Sequence, residues 1–99
     1  MSHRGSILCL PQGIWASDVE AAGEIDLAAV SLALADDAAI DHFLIGTGKE
    51  MALVPPSLRD AFRERRIVLE AMTTGAAVRT YNILLGERRR IGVLLIAVE

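Results

Sequence analysis

The stretch Ile67-Val68-Leu69-Glu70-Ala71-Met72-Thr73-Thr74-Gly75-Ala76-Ala77-Val78-Arg79-Thr80-Tyr81-Asn82-Ile83-Leu84-Leu85-Gly86 decides the fold class. Its first six residues are rich in β-forming side chains, and Thr73-Thr74-Gly75 interrupts them. Residues 76–85 then have helical composition, and Gly86 is a natural stop. At about 100° per residue, Ala77, Val78, Tyr81, Leu84 and Leu85 fill one broad arc while Ala76 and Ile83 stand nearly opposite. A helix apolar almost all round is expected to be covered on both sides. A strand handing over to such a helix is the beginning of a layered α/β unit.

Outward from this unit the pattern repeats. Residues 91–98 form a continuous apolar strand, which suits the middle of a sheet. Toward the N-terminus, Pro55-Pro56 sets an extended entry to a helix whose apolar stripe is Leu58, Ala61 and Phe62. His42 to Ile45 reads as a buried strand closed by Gly46-Thr47-Gly48. Asp26 is placed to cap a helix with Leu27, Val30 and Leu34 on one face, ended by Asp36-Asp37. The run from Ser6 to Leu10 stops at Pro11-Gln12-Gly13, with Ile14-Trp15-Ala16 able to pair beside it. The predicted order is β-β-α-β-α-β-α-β, and by itself that alternation implies a largely parallel sheet.

Composition bounds what such a domain does. The 99 residues suffice for one domain, with 53% apolar and 23% charged side chains but only 4% aromatic ones. So few aromatic faces disfavour base stacking on single-stranded nucleic acid. The net charge of −3 is split: residues 1–50 sum to −6 and residues 51–99 to +3. An acidic total disfavours general nucleic-acid binding. The lone Cys9 has no internal disulfide partner, so nothing in cysteine usage calls for an oxidising compartment. The apolar runs at residues 27–35 and 91–98 fall short of the roughly 20 residues of a membrane span. Met1-Ser2-His3-Arg4-Gly5 lacks the apolar region of a signal peptide, and a cytoplasmic location is expected.

Two loops at expected strand ends could hold an anion. Gly46-Thr47-Gly48-Lys49 offers glycine amides and a lysine, although Met51 stands where a dinucleotide fingerprint needs its third glycine and no Ser or Thr follows Lys49. A plain turn that needs positive φ is the favoured reading of this loop. Thr73-Thr74-Gly75 opens the last helix, so its amides point outward, and Arg79 one turn in could join them around a carboxylate or phosphate. The alternative is that a threonine caps the helix and Arg79 pairs internally, for example with Glu70. Arg79, Tyr81 and Asn82 are polar groups on an otherwise apolar helix: either they form a satisfied interior network or they line a cleft.

Cys9 lies in an apolar strand, where a thiol packs rather than reacts. Neither His3 nor His42 has the spacing of a triad or metal site, and no Gly-x-Ser-x-Gly occurs. The sequence therefore designates no catalytic residue, metal ligand or cofactor. Arg59, Arg63 and Arg66 fall within about 60° on one helix face, and Arg88-Arg89-Arg90 follows the last helix. Both clusters suit solvent, or docking of an acidic protein partner or an anionic membrane face.

Gly5-Ser6-Ile7-Leu8 followed by a proline, Ile45-Gly46-Thr47-Gly48, Pro55-Pro56-x-Leu58-Arg59, Glu70-x-Met72-x-Thr74-x-Ala76-x-x-Arg79-Thr80-Tyr81-Asn82-x-Leu84 and Glu87-x-Arg89 together form a pattern. It resembles the Mth938-domain family of small α/β proteins, which includes complex I assembly factor 3 and the adipogenesis-associated Mth938 domain-containing protein. The resemblance spans nearly the whole chain and implies one Mth938-like domain over residues 1–99, with a layered, mixed β-sheet and about three helices. It implies no established cofactor or catalytic residue, and action by binding other proteins. It also implies strand structure ahead of Gly5 in other members. The expectation is an open sheet edge beside the first strand, covered by self-association.

Overall fold

The computed structural model describes residues 6–17, 19–20, 23, 25–35 and 39–97. The chain start, the Asp36-Asp37 helix stop and Val98 lie outside the described residues. Strands β1 (Ser6–Leu10) and β2 (Gly13–Ser17) are joined by Pro11-Gln12 alone. Two residues are too few for a crossover, so the pair must be antiparallel, and it is, with Leu10 opposite Gly13. Strand β3 (His42–Gly46) pairs in parallel with both β4 (Val68–Met72) and β5 (Ile91–Ile96). β5 also pairs antiparallel with β1. The five-stranded order is β2-β1-β5-β3-β4.

The sheet is thus mixed, as the resemblance implies, and the largely parallel sheet read from alternation is corrected by the hairpin. β5, the continuous apolar run, occupies the centre. The open-edge expectation also shifts: β1 lies between β2 and β5, so among the described residues the edges are β2 and β4.

Period-two alternation sorts the strand side chains onto two faces. Leu8, Leu10, Phe43, Ile45, Leu94 and Ile96 meet Leu58 and Phe62 of α2 (Pro56–Glu64), with Val30 and Ala33 beside them. On the other face Leu44, Ile91 and Val93 pack against Ala77 of α3 (Thr74–Gly86). The result is three layers, with α2 and α3 on opposite sides of the sheet.

Two helix expectations are corrected. Asp26 does accept a hydrogen bond from the Ala29 amide at 2.9 Å, but it closes a turn; the helix itself, α1, is one turn over Ser31–Leu34. With Val30 and Ala33 already buried, that single turn seats the segment, leaving Leu27 and Leu32 exposed. For α3, cover on both sides is replaced by cover on one. Val78, Ile83 and Leu85 are 38%, 61% and 46% exposed, because among the described residues no layer lies beyond the helix.

Both longer helices end the same way. After α2, Arg66 adopts φ 59°, with its amide on the Arg63 carbonyl and the Ile67 amide on the Phe62 carbonyl. After α3, Arg88 adopts φ 62°, with the Arg88 and Arg89 amides on the Leu85 and Leu84 carbonyls. These are Schellman caps with arginine where glycine is usual. Gly86 is the last residue of α3, as expected of a helix stop, but the left-handed position falls two residues later, at Arg88. A side chain in the left-handed region costs roughly 1–2 kcal/mol, and glycine returns about half of that to the unfolded state. Arg66→Gly and Arg88→Gly are each expected to raise stability by about 0.5–1 kcal/mol. A melting temperature unchanged or lowered in both variants would contradict this account of the caps.

Candidate functional site

The three parallel strands end together, and two threonines bind those ends to one another. The Thr47 amide donates to the Met72 carbonyl at 2.7 Å, fastening the end of β3 to the end of β4. Its hydroxyl shares its one proton between the Glu50 carbonyl at 2.8 Å and the Met72 carbonyl at 3.1 Å, and accepts from the Ala52 amide. Thr74 does the same across the start of α3. Its amide donates to the Gly48 carbonyl at 2.9 Å, while its hydroxyl accepts from the Gly48 amide at 2.9 Å and donates to the Ile96 carbonyl at 2.7 Å.

The two candidate anion loops therefore do converge, latched by the pair of hydrogen bonds that Gly48 and Thr74 exchange. Thr73 caps α3, accepting from the Ala76 amide at 3.3 Å. An anion at this helix start would have to compete with the Gly48 carbonyl for Thr74 and with Thr73 for Ala76. Lys49 is exposed beside the latch. Arg79 is exposed and does not reach Glu70; its guanidinium folds back over Gly75, 4.0 Å from where a β-carbon there would sit. Glu70 instead faces His42 on the neighbouring strand at 3.7 Å.

Arg79, Tyr81 and Asn82 neither share an interior network nor a cleft. Arg79 and Asn82 face solvent, while Tyr81 is half-buried against the second core cluster with Cys9. Burial pushes the Tyr81 phenol above its ordinary pKa, and the Cys9 thiolate adds to that shift. Burial likewise raises the Cys9 thiol, in keeping with a packing role.

The arginine cluster divides. Arg59 and Arg63 project from α2, and with Ile67 and Leu69 they line a groove of about 200 Å³ against β4. Arg63 lies 3.8 Å from Asp60 in an exposed, weak pairing. Arg66 does not continue their face: the helix ends at Glu64, and Arg66 holds the left-handed cap position. Ile67 and Leu69 were read only as strand residues. The cue to their role is their position directly after the cap, which folds β4 back beside the arginines. Among the described residues no three His, Cys, Asp or Glu side chains cluster as metal ligands, and no helix is long and apolar enough to cross a membrane.

Residues 1–96 match the model of a family described as protein of unknown function (DUF498/DUF598). The crystal structure of an outer membrane protein from Bartonella henselae superposes with a TM-score of 0.88 at 45% identity, covering 100% of this chain and 83% of that one. A Mth938-like domain from Bordetella pertussis, solved in solution, superposes at 0.79 with 26% identity, covering 93% of this chain and 73% of that one. In Xenopus tropicalis, NADH dehydrogenase [ubiquinone] 1 alpha subcomplex assembly factor 3 is 27% identical over 92 residues, 93% of this chain. The chain spans 50% of the length of that assembly factor.

Proposed function

The chain belongs to the DUF498/DUF598 family of proteins of unknown function, and on that premise we propose that it is a non-enzymatic interaction factor that serves assembly of a larger complex, by analogy respiratory complex I. The observation that carries this reading is the likeness to a complex I assembly factor over 93% of the chain. Two features support it. The amides of Thr74 and Ala76 at the start of α3 are engaged within the protein, which favours partner binding over small-anion chemistry. Arg59 and Arg63 stand exposed beside a groove, as a docking patch for an acidic protein surface requires.

Removing the gene from a cell that carries it is expected to lower the amount of assembled NADH dehydrogenase on native gels. The wild-type chain should restore it and the Arg59→Glu, Arg63→Glu double variant should not. Unchanged assembly after removal would overturn the proposal.

A further inference from the structure

Among the described residues strand β4 ends the sheet, and its outward edge pairs with no further strand. The Val68 amide donates to the Asp41 carbonyl at 3.1 Å, and the Met72 carbonyl accepts from the Thr47 amide at 2.7 Å, so both residues turn their main chain toward β3. Main-chain groups alternate sides along a strand. Leu69 and Ala71 therefore direct their N–H and C=O groups away from β3, along the edge where the sheet order ends. β4 has no proline, bulge or lysine to blunt that edge, and its one charged residue, Glu70, lies on the side of the sheet away from the arginine groove, facing His42.

The two faces beside this edge differ in chemistry. On the α2 side, Leu69 and Ile67 floor the groove and Arg59 and Arg63 wall it. The opposite side carries Val68, which is 52% exposed, and half-buried Met72, with Glu70 between them facing His42. A strand added here would present alternate side chains to the two faces. One set meets guanidinium groups above an apolar floor, and the other meets mostly aliphatic surface. Asp60 and Glu64 also project from α2, yet Arg59 and Arg63 are the charged side chains that line the groove itself.

We propose that the open edge of β4 receives an extended segment of a partner protein in which acidic and aliphatic residues alternate, its carboxylates seated between Arg59 and Arg63. Main-chain hydrogen bonds to Leu69 and Ala71 hold the segment, and the arginines select it. This inference rests on the proposed docking role of the arginine groove and adds the shape and chemistry of what docks there.

The test uses a fluorescein-labelled heptapeptide of alternating valine and glutamate, with binding followed by anisotropy and by amide resonances of the full chain. Saturable binding is expected, with the Leu69 and Ala71 amides shifting and exchanging more slowly. Arg59→Glu with Arg63→Glu should weaken binding by about tenfold or more, and a valine–lysine peptide should not bind. A valine–glutamate peptide methylated on every second main-chain nitrogen, on the edge meant for β4, keeps its charge and loses its donors; it should fail to bind. Equal binding by the methylated peptide would overturn strand addition while leaving the arginine docking reading intact. Insensitivity to charge reversal would remove the arginines from both. Absence of binding by either acidic peptide would overturn the inference.

Discussion

Phe62→Ala is expected to lower the unfolding free energy by about 3–5 kcal/mol. Phe62 is fully buried and stacks on Phe43 of β3, with ring centroids 4.9 Å apart and planes 15° from parallel. It is one of only two buried side chains on α2, the other being Leu58. Truncation thus removes half of what fastens the helix to the sheet and opens a cavity under Phe43. A domain of this size holds roughly 5–15 kcal/mol in total, so the variant should be partly unfolded at physiological temperature. Urea denaturation followed by circular dichroism measures the loss, with the slope expected to stay as in the wild type. A loss below about 1.5 kcal/mol would show that the site collapses around the smaller residue and that the aromatic stack is not the anchor.

The order of elements was legible because strands and helices here are short and bounded by strong punctuation. Pro11-Gln12-Gly13, Pro55-Pro56 and Thr73-Thr74-Gly75 each separate one element from the next. Strand direction was harder, since alternation alone favours parallel pairing and only the two-residue link between β1 and β2 forbids it. Two helix readings failed for a common reason. Periodicity reports which side chains could be buried together, whereas the sheet decides how many are. One helix covers about two strands of a sheet, so α3 over β3 and β5 leaves Val78, Ile83 and Leu85 outside.

The candidate site was legible in its residues and not in its bonds. Gly46, Thr47, Gly48, Thr73 and Thr74 are glycines and threonines at strand ends, residue types that can serve an anion. The same groups serve one another equally well, and sequence does not say which. The arginine patch shows a different limit. A 3.6-residue period places Arg66 with Arg59 and Arg63, but the helix ends at Glu64, two residues short of Arg66, which takes the left-handed cap position. What the period could not foresee, the cap accomplishes: it folds Ile67 and Leu69 back under the two remaining arginines.

Gly46→Ala is expected to cost about 3 kcal/mol, near the upper end for overpacking. A β-carbon at Gly46 would lie 2.9 Å from both the Cα and the Oγ1 of Thr74 and 3.1 Å from Cδ2 of Leu95. The φ of Gly46 is not positive, so the obstacle is contact rather than backbone strain. Relief by rotation is closed off, because the Thr74 hydroxyl is held by both the Gly48 amide and the Ile96 carbonyl. Retreat of the Thr74 backbone would break its bond to the Gly48 carbonyl and lift the first turn of α3 off the sheet. Gly92→Ala supplies the contrast. Its β-carbon would meet Leu10 Cδ2 at 2.6 Å and Phe43 Cδ1 at 2.9 Å, both of them side-chain atoms. Shortening Leu10 to valine should recover much of the Gly92→Ala loss, whereas Thr74→Ser should recover little of the Gly46→Ala loss, since the blocking Cα remains. Thermal denaturation of the four variants measures both outcomes. Wild-type stability in Gly46→Ala would mean that the contact between Gly46 and Thr74 has slack, and that the Gly48 amide is not held as firmly to the Thr74 hydroxyl as the geometry indicates.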